Sequence, residues 1–398
     1  MNPDLRYLQP YPFERLKNLI DGITAPDHIQ HISLSIGEPK HSPPLFLSEI
    51  LKTSLPQLSR YPTIKGSKSL RESISDWLIK RYQLGANSID AESQILPVNG
   101  TREGIFSFSQ ATLNSTNNPI VVTGNPFYQI YEGAALLARA EIRFINCTEK
   151  NNFVPDLSRV PAEVWRGCQI LHLCTPNNPT GAVMSIRQQI EAIELAHKHD
   201  FTIVSDECYS ELYLDENQPP PGLLQASYSI GNRAFEKCVV FHSLSKRSNL
   251  PGLRSGFIAG DQNLISNFLR YRTYHGCSMS PMVQMLSESA WSDENHVLKN
   301  RKLYREKFSA VTNILTNIVS FPKPKASFYL WLETPYDDIK FARDLFTHKN
   351  VLVLPGQFMS RDWEDRNPGT NRVRIALVAP TDECVTAAMR IKSYIEGL

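Results

Sequence analysis

Apolar residues recur along this chain at two different spacings, and the switches between them mark its elements. From Ser69 to Leu84 the apolar positions Leu70, Ile74, Trp77, Leu78 and Tyr82 fall at helical steps, which predicts an amphipathic helix. Gln94 to Val98 predicts a short strand, and the Ile105, Phe106, Phe108 and Leu113 pattern after it predicts another helix. Compact apolar runs follow at Ile120 to Thr123, Ile142 to Asn146, Ile170 to Cys174, Phe201 to Ser205, Val239 to Phe241 and Phe257 to Ala259. Helix-like stretches such as Ile186 to His199 separate them. Strands divided by helices predict an α/β protein with a doubly wound, mostly parallel sheet. Past residue 280 the rhythm changes to a long charged helix (Val297 to Leu315), strand-like runs at Phe328 to Leu332 and Val351 to Leu354, and a last helix from Glu383 to Ile395. That predicts a smaller α+β domain, completed by a proline-rich N-terminal arm. The expected division is a large domain over residues 49–280, with residues 1–48 and 281–398 forming the arm and small domain.

Composition narrows the function classes. At 398 residues and 41% hydrophobic content the chain can bury one large core and a second, smaller one. Its 42 basic and 40 acidic residues leave a formal charge of +2 without a basic stripe, so nucleic-acid and membrane-surface binding have no compositional support. No apolar run approaches the length of a membrane span, and Met-Asn-Pro-Asp-Leu-Arg-Tyr has no secretory pattern, so the expected location is the cytoplasm. The seven cysteines form no CxxC pair and read as reduced core residues; no metal is expected.

Five motifs sit where predicted strands end, the edge at which doubly wound sheets bind ligands. Lys246 follows a strand and is flanked by Ser243 and Ser245, with Arg254 eight residues on. A part-buried lysine near another cation loses ammonium solvation and becomes a nucleophilic amine, suited to condensing with an aldehyde cofactor. Serines and Arg254 suit a phosphate. Asn99-Gly100-Thr101 offers backbone N–H groups at a helix start, where an anion is favoured. Asn178 stands in Asn-Pro-Thr-Gly, a rigid turn after a strand, and Asp206 puts a carboxylate at a buried strand end, which requires a cationic partner. Tyr128 follows Asn125-Pro126 in a loop, and Arg374 lies in an alternating stretch that could aim a guanidinium fork at a carboxylate. Singly, each has an ordinary reading: a surface lysine, a helix cap, a surface turn, a core aromatic.

Taken together, the string Ser-x-Ser-Lys246 with Pro-Gly-x-Arg254-x-Gly, preceded by Asn178-Pro-Thr-Gly and Asp206-x-x-Tyr209 and followed by Arg374, resembles the fold type I pyridoxal-phosphate aminotransferases. The resemblance runs from Gly37 to Arg374. It implies that Lys246 binds the cofactor covalently, and that Asp206 pairs with the pyridine nitrogen. It further implies that Asn178 and Tyr209 donate to the ring oxygen and that Tyr128 stacks on the ring. Gly100, Thr101, Ser243, Ser245 and Arg254 would hold the phosphate; Gly37, Asn178 and Arg374 would meet the substrate. Tyr61 matches a tyrosine that reaches the phosphate of a neighbouring subunit, which implies a homodimer with shared sites. Ala326 departs from the family's usual glycine and is expected to narrow the site.

Substrate is read from the same resemblance. Residues 241–249, the basic and aromatic stretch Arg270 to Pro281, and the Leu354-Pro355-Gly356 and Asn367-Pro368-Gly369 loops resemble the N-succinyldiaminopimelate aminotransferases of bacterial lysine synthesis. The expected reaction moves an amino group between glutamate and N-succinyl-2-amino-6-oxopimelate, with a basic cluster meeting the long acidic arm. Rival readings are an aminotransferase for aspartate, aromatic amino acids or kynurenine, a C–S lyase sharing the lysine and aspartate, and a non-catalytic ligand sensor.

Overall fold

The computed structural model describes residues 1–398. Twelve strands occur in chain order: β1 (Ile32–Ser33), β2 (Ile95–Val98), β3 (Ile120–Asn125), β4 (Glu141–Asn146), β5 (Cys168–Cys174), β6 (Thr202–Asp206), β7 (Cys238–Ser243), β8 (Gly256–Gly260), β9 (Tyr329–Glu333), β10 (Val351–Leu352), β11 (Leu354–Pro355) and β12 (Arg372–Ala376). Seven form one sheet in the order β2-β8-β7-β6-β5-β3-β4, in which only β8 runs antiparallel to its neighbours. Alternate residues enter different cores. Val240, Ile203, Leu171 and Val122 join a large cluster on one face, while Val239, Phe241, Val204, Ile170 and Val121 join another on the opposite face. Burial on both faces explains why these strands read as unbroken apolar runs and not as alternating ones.

A separate core forms around the antiparallel sheet β11-β12-β9 and the helices Asn295–Leu315, Asp338–Lys349 and Thr381–Glu396. The arm is stitched to it: β1 pairs in parallel with β10, and Ile32 and Leu34 enter that core. The apolar run from Val351 to Leu354, expected as one strand, is two. Val351 and Leu352 pair with β1, whereas Leu354 and Pro355 pair with β12, so the chain changes sheets at Val353. Helix Pro281–Ser292 packs on the helices Leu47–Ser54 and Lys68–Tyr82 and places Leu286, Ala290 and Trp291 in the larger core. We propose accordingly that the large domain extends through Ser292, twelve residues past the break suggested by patterning, because that helix's apolar face has its partners there.

Candidate active site

The carboxyl ends of the parallel strands and the antiparallel sheet face a cavity of about 520 Å³. Its wall includes Gly37, Thr101, Tyr128, Asn178, Asp206, Tyr209, Ser243, Ser245, Lys246, Arg254 and Arg374. Gly100 stands directly behind it, against Arg254. Tyr61 alone of the expected site residues lies elsewhere, fully exposed on the loop before helix Lys68–Tyr82.

One end of the cavity is built for an oxyanion. Gly100 caps helix Thr101–Thr112 with a φ of +86°, and a Cβ there would collide with Arg254 Nη2, so glycine serves both the backbone and the close approach. Arg254 Nη1 donates to the Pro251 carbonyl at 2.9 Å and has no carboxylate partner. Ser243 Oγ accepts from the Ser245 amide at 3.0 Å and donates to the Ser255 carbonyl at 3.3 Å. Thr101 Oγ1 lies 3.0 Å from Cys208 Sγ. Two serine hydroxyls, a threonine, a helix start and an unpaired guanidinium converge on one place.

The same wall carries a buried carboxylate. Asp206 ends β6 and accepts from Tyr131 Oη at 2.8 Å and the Cys208 amide at 3.2 Å, yet has no ion-pair partner. Burial raises its pKa, and the two hydrogen bonds act against that rise. Tyr131 in turn stacks on His172, with ring centroids 4.7 Å apart and planes 9° from parallel. Burial lowers the His172 pKa to about 3, so a neutral ring backs the tyrosine. Neither residue was found from sequence. Tyr131 is one more aromatic three residues after Tyr128, and His172 is one polar letter inside a strand.

Lys246 lines the same space. Its Nζ donates to the Gly37 carbonyl at 2.5 Å, and burial lowers its pKa to about 8. Arg374, on β12 and 3% exposed, donates from Nη1 to Asn178 Oδ1 at 2.8 Å and from Nη2 to the Ser35 carbonyl at 2.5 Å. Its guanidinium covers the Tyr329 ring at 4.4 Å, and its Nε is buried without an acceptor. Arg372, two residues earlier, lies outside the cavity, 3.7 Å from Glu149 and from Glu333. Tyr209 Oη meets Tyr329 Oη at 3.0 Å. A Cβ on Gly37 would collide with that Tyr329 oxygen, so only glycine lets the arm approach. Tyr128 Oη accepts from Arg102 Nε at 2.6 Å.

Further wall residues escaped the sequence reading: Tyr11 and Phe13 from the arm, with Glu38, Arg102, Cys208 and Tyr329. Only folding brings the arm here, so no local spacing marks them. Two expectations need correction. Ala326 does not narrow the cavity; it is buried in an isolated bridge with Tyr213, away from the wall. Nor does the Arg270 to Pro281 stretch line this cavity in its own chain. Arg272 is buried and paired with Glu103, also donating to the Cys277 carbonyl at 2.7 Å, because a guanidinium so deep must be neutralised locally.

Residues 29–391 match the family model described as aminotransferase class I and II. The chain belongs to that family. It is 30% identical to an LL-diaminopimelate aminotransferase of Maridesulfovibrio salexigens over 97% of both chains. A crystal structure of an aminotransferase from Neisseria meningitidis Z2491 superposes with a TM-score of 0.95 at 48% identity, covering 99% of this chain and 100% of that one. A probable N-succinyldiaminopimelate aminotransferase from Thermus thermophilus gives a TM-score of 0.84 at 28% identity, over 96% and 98%. The family's cofactor is pyridoxal phosphate, and the cavity of this aminotransferase fits it: an oxyanion pocket, a lysine with a lowered pKa and a buried carboxylate lacking a cation are set around one space. No helix is long and apolar enough to cross a membrane.

Proposed function

We propose that this aminotransferase moves an amino group between glutamate and N-succinyl-2-amino-6-oxopimelate, the succinylated diaminopimelate reaction of lysine synthesis. The observation that carries the reading of the site is that Lys246, Asp206 and Arg374 face a single cavity. Pyridoxal phosphate, when bound, supplies an aldehyde for an amine and a cationic ring that takes up the electron pair left at the substrate α-carbon. Lys246 Nζ is then the base that takes the proton from that carbon and returns it, a task suited to a pKa of about 8. Arg374 holds the α-carboxylate with its fork, and Asn178 and Gly37 fix its orientation. Asp206 would keep a proton on the ring nitrogen, with Tyr131 holding the carboxylate in place. Asn178 and Tyr209 would donate to the ring oxygen, and Tyr128 would cover the ring. Gly100, Thr101, Ser243, Ser245 and Arg254 would hold the phosphate.

The names of the Maridesulfovibrio and Thermus proteins support a diaminopimelate substrate. Arg102 supports the succinyl arm: it lines the cavity, is held by Tyr128 Oη at 2.6 Å and Tyr11 Oη at 3.1 Å, and has no carboxylate partner. Glu38, unpaired on the same wall, favours a second reading in which free LL-diaminopimelate presents its distal ammonium there. A panel of kcat/KM values decides. The succinylated substrate should exceed aspartate, aromatic amino acids and N-acetylornithine at least tenfold, and Arg102→Gln should lower its kcat/KM by about tenfold. Preference for free LL-diaminopimelate, lost in Glu38→Gln, would establish the second reading. A better rate with aspartate or an aromatic donor would refute both.

The homodimer belongs to this proposal. Leu45, Leu51, Leu55, Leu58 and Tyr61 are exposed within one short segment, an apolar patch that a second copy would cover. Tyr61, which serves no site in its own chain, would then reach the partner's phosphate pocket. The proposed location is the cytoplasm.

A further inference from the structure

Behind the active site, and sharing no wall residue with it, is a second cavity of about 450 Å³. Lys40, Lys299 and Lys307 line it, together with His41, and no acidic side chain does. None of the three lysines takes part in an ion pair. Lys307 is the unusual member. It is 1% exposed, and its ammonium has only the His41 ring as hydrogen-bond partner, at 3.0 Å. Burial lowers its pKa, the expected response of an ammonium removed from water without a carboxylate. Pro380 and Thr381, which begin the sixteen-residue helix Thr381–Glu396, also line the space with the start of that helix, whose first-turn carboxylates Asp382 and Glu383 stand off the wall.

The polar wall is held in place before any ligand arrives. An ammonium can only donate, so His41 Nε2 accepts from Lys307, and the neutral ring donates from Nδ1 to Asn300 Oδ1 at 2.9 Å. Asn300 Oδ1 also accepts from Asn249 Nδ2 at 2.8 Å, while its own Nδ2 donates to the carbonyls of Lys246 and Arg247 at 3.3 and 3.2 Å. His296, the other histidine of the wall, is engaged by Asp293 and Ser248. Such fixing lowers the ordering cost of binding.

We propose that this cavity is a binding site for a small multivalent oxyanion, a phosphate or a polycarboxylate, held by Lys40, Lys299 and Lys307 at the helix start. Three like charges around one concave space repel each other, and a multivalent anion relieves both that repulsion and the unpaired burial of Lys307. The proposal does not depend on which amino acid the enzyme transaminates.

Calorimetric titration of the holoenzyme with inorganic phosphate and, separately, with citrate at constant ionic strength tests it. Lys40 and Lys299 are exposed, so a Lys40→Gln/Lys299→Gln variant should keep the fold and the absorbance of the bound cofactor. Saturable binding of one anion per chain, weakened at least tenfold in that variant, is the expected result, and the tighter probe identifies the ligand class. Lack of saturable binding for both probes, or binding unchanged in the variant, would overturn the proposal. The second outcome would assign the anion to the active-site cavity.

Discussion

The reactivity of Lys246 can be tested without turnover. Its pKa is lowered from 10.5 to about 8, first by burial and further by the Arg374 and Arg254 charges, against Cys208 and Glu38. At pH ~7.5 roughly a quarter of such amines are neutral, against about 0.1% for a lysine of ordinary pKa, a gain of ~240-fold in reactive form. Intrinsic nucleophilicity falls with basicity; a Brønsted slope of about 0.4 removes around tenfold and leaves a net advantage of ~20-fold. Trace acetylation of the apoenzyme, read by peptide mass spectrometry across pH, should show Lys246 labelling with a midpoint near 8 and exceeding surface lysines by about that factor. Arg374→Met should move the midpoint up, since it removes a cation, and Glu38→Gln should move it down. The folded pKa lies below the unfolded one, so the unfolded chain alone holds the proton between the two values. Apoenzyme stability should therefore rise with pH from about 8 to 10.5 on account of this group. A labelling midpoint above about 9.5 would refute the argument that burial activates this lysine.

Three further outcomes are expected. Arg374→Lys keeps a charge but loses the fork to Asn178 and Ser35; kcat/KM for every amino donor should fall by about 10²-fold, the equivalent of one or two charged hydrogen bonds, and a loss under threefold would dismiss the carboxylate role. Asp206→Ala should lose most activity and Tyr131→Phe much less, since the tyrosine only orients the carboxylate; near-normal turnover of Asp206→Ala would exclude its ring-nitrogen role. Mixing inactive Lys246 and Tyr61 variants should restore part of the activity through hybrid dimers, and an active monomer in sedimentation would exclude the shared site.

The sequence by itself determined the architecture of the large sheet and the order of the chemistry. Strands buried on two faces are written as compact apolar runs, and ligand groups follow them at the carboxyl edge because a parallel sheet brings those edges together. Lys246, Asp206, Asn178 and the Gly100 helix start were therefore legible as local patterns. What lies between strands distant in the chain was not. Arg372 and Arg374 have the same periodicity, and only the packing of β12 sends one into the cavity and the other to Glu149 and Glu333. Whether Arg272 would meet substrate or the half-buried Glu103 depended on how the helix Gln262–His275 docks on the helix beginning at Thr101. The arm's Tyr11, Phe13 and Glu38 reach the site because β1 pairs with β10, across more than three hundred residues. Long-range pairing and packing carry no short-period signature, so charge partners, the arm's share of the cavity wall and the second, cationic cavity were decided by the tertiary structure alone.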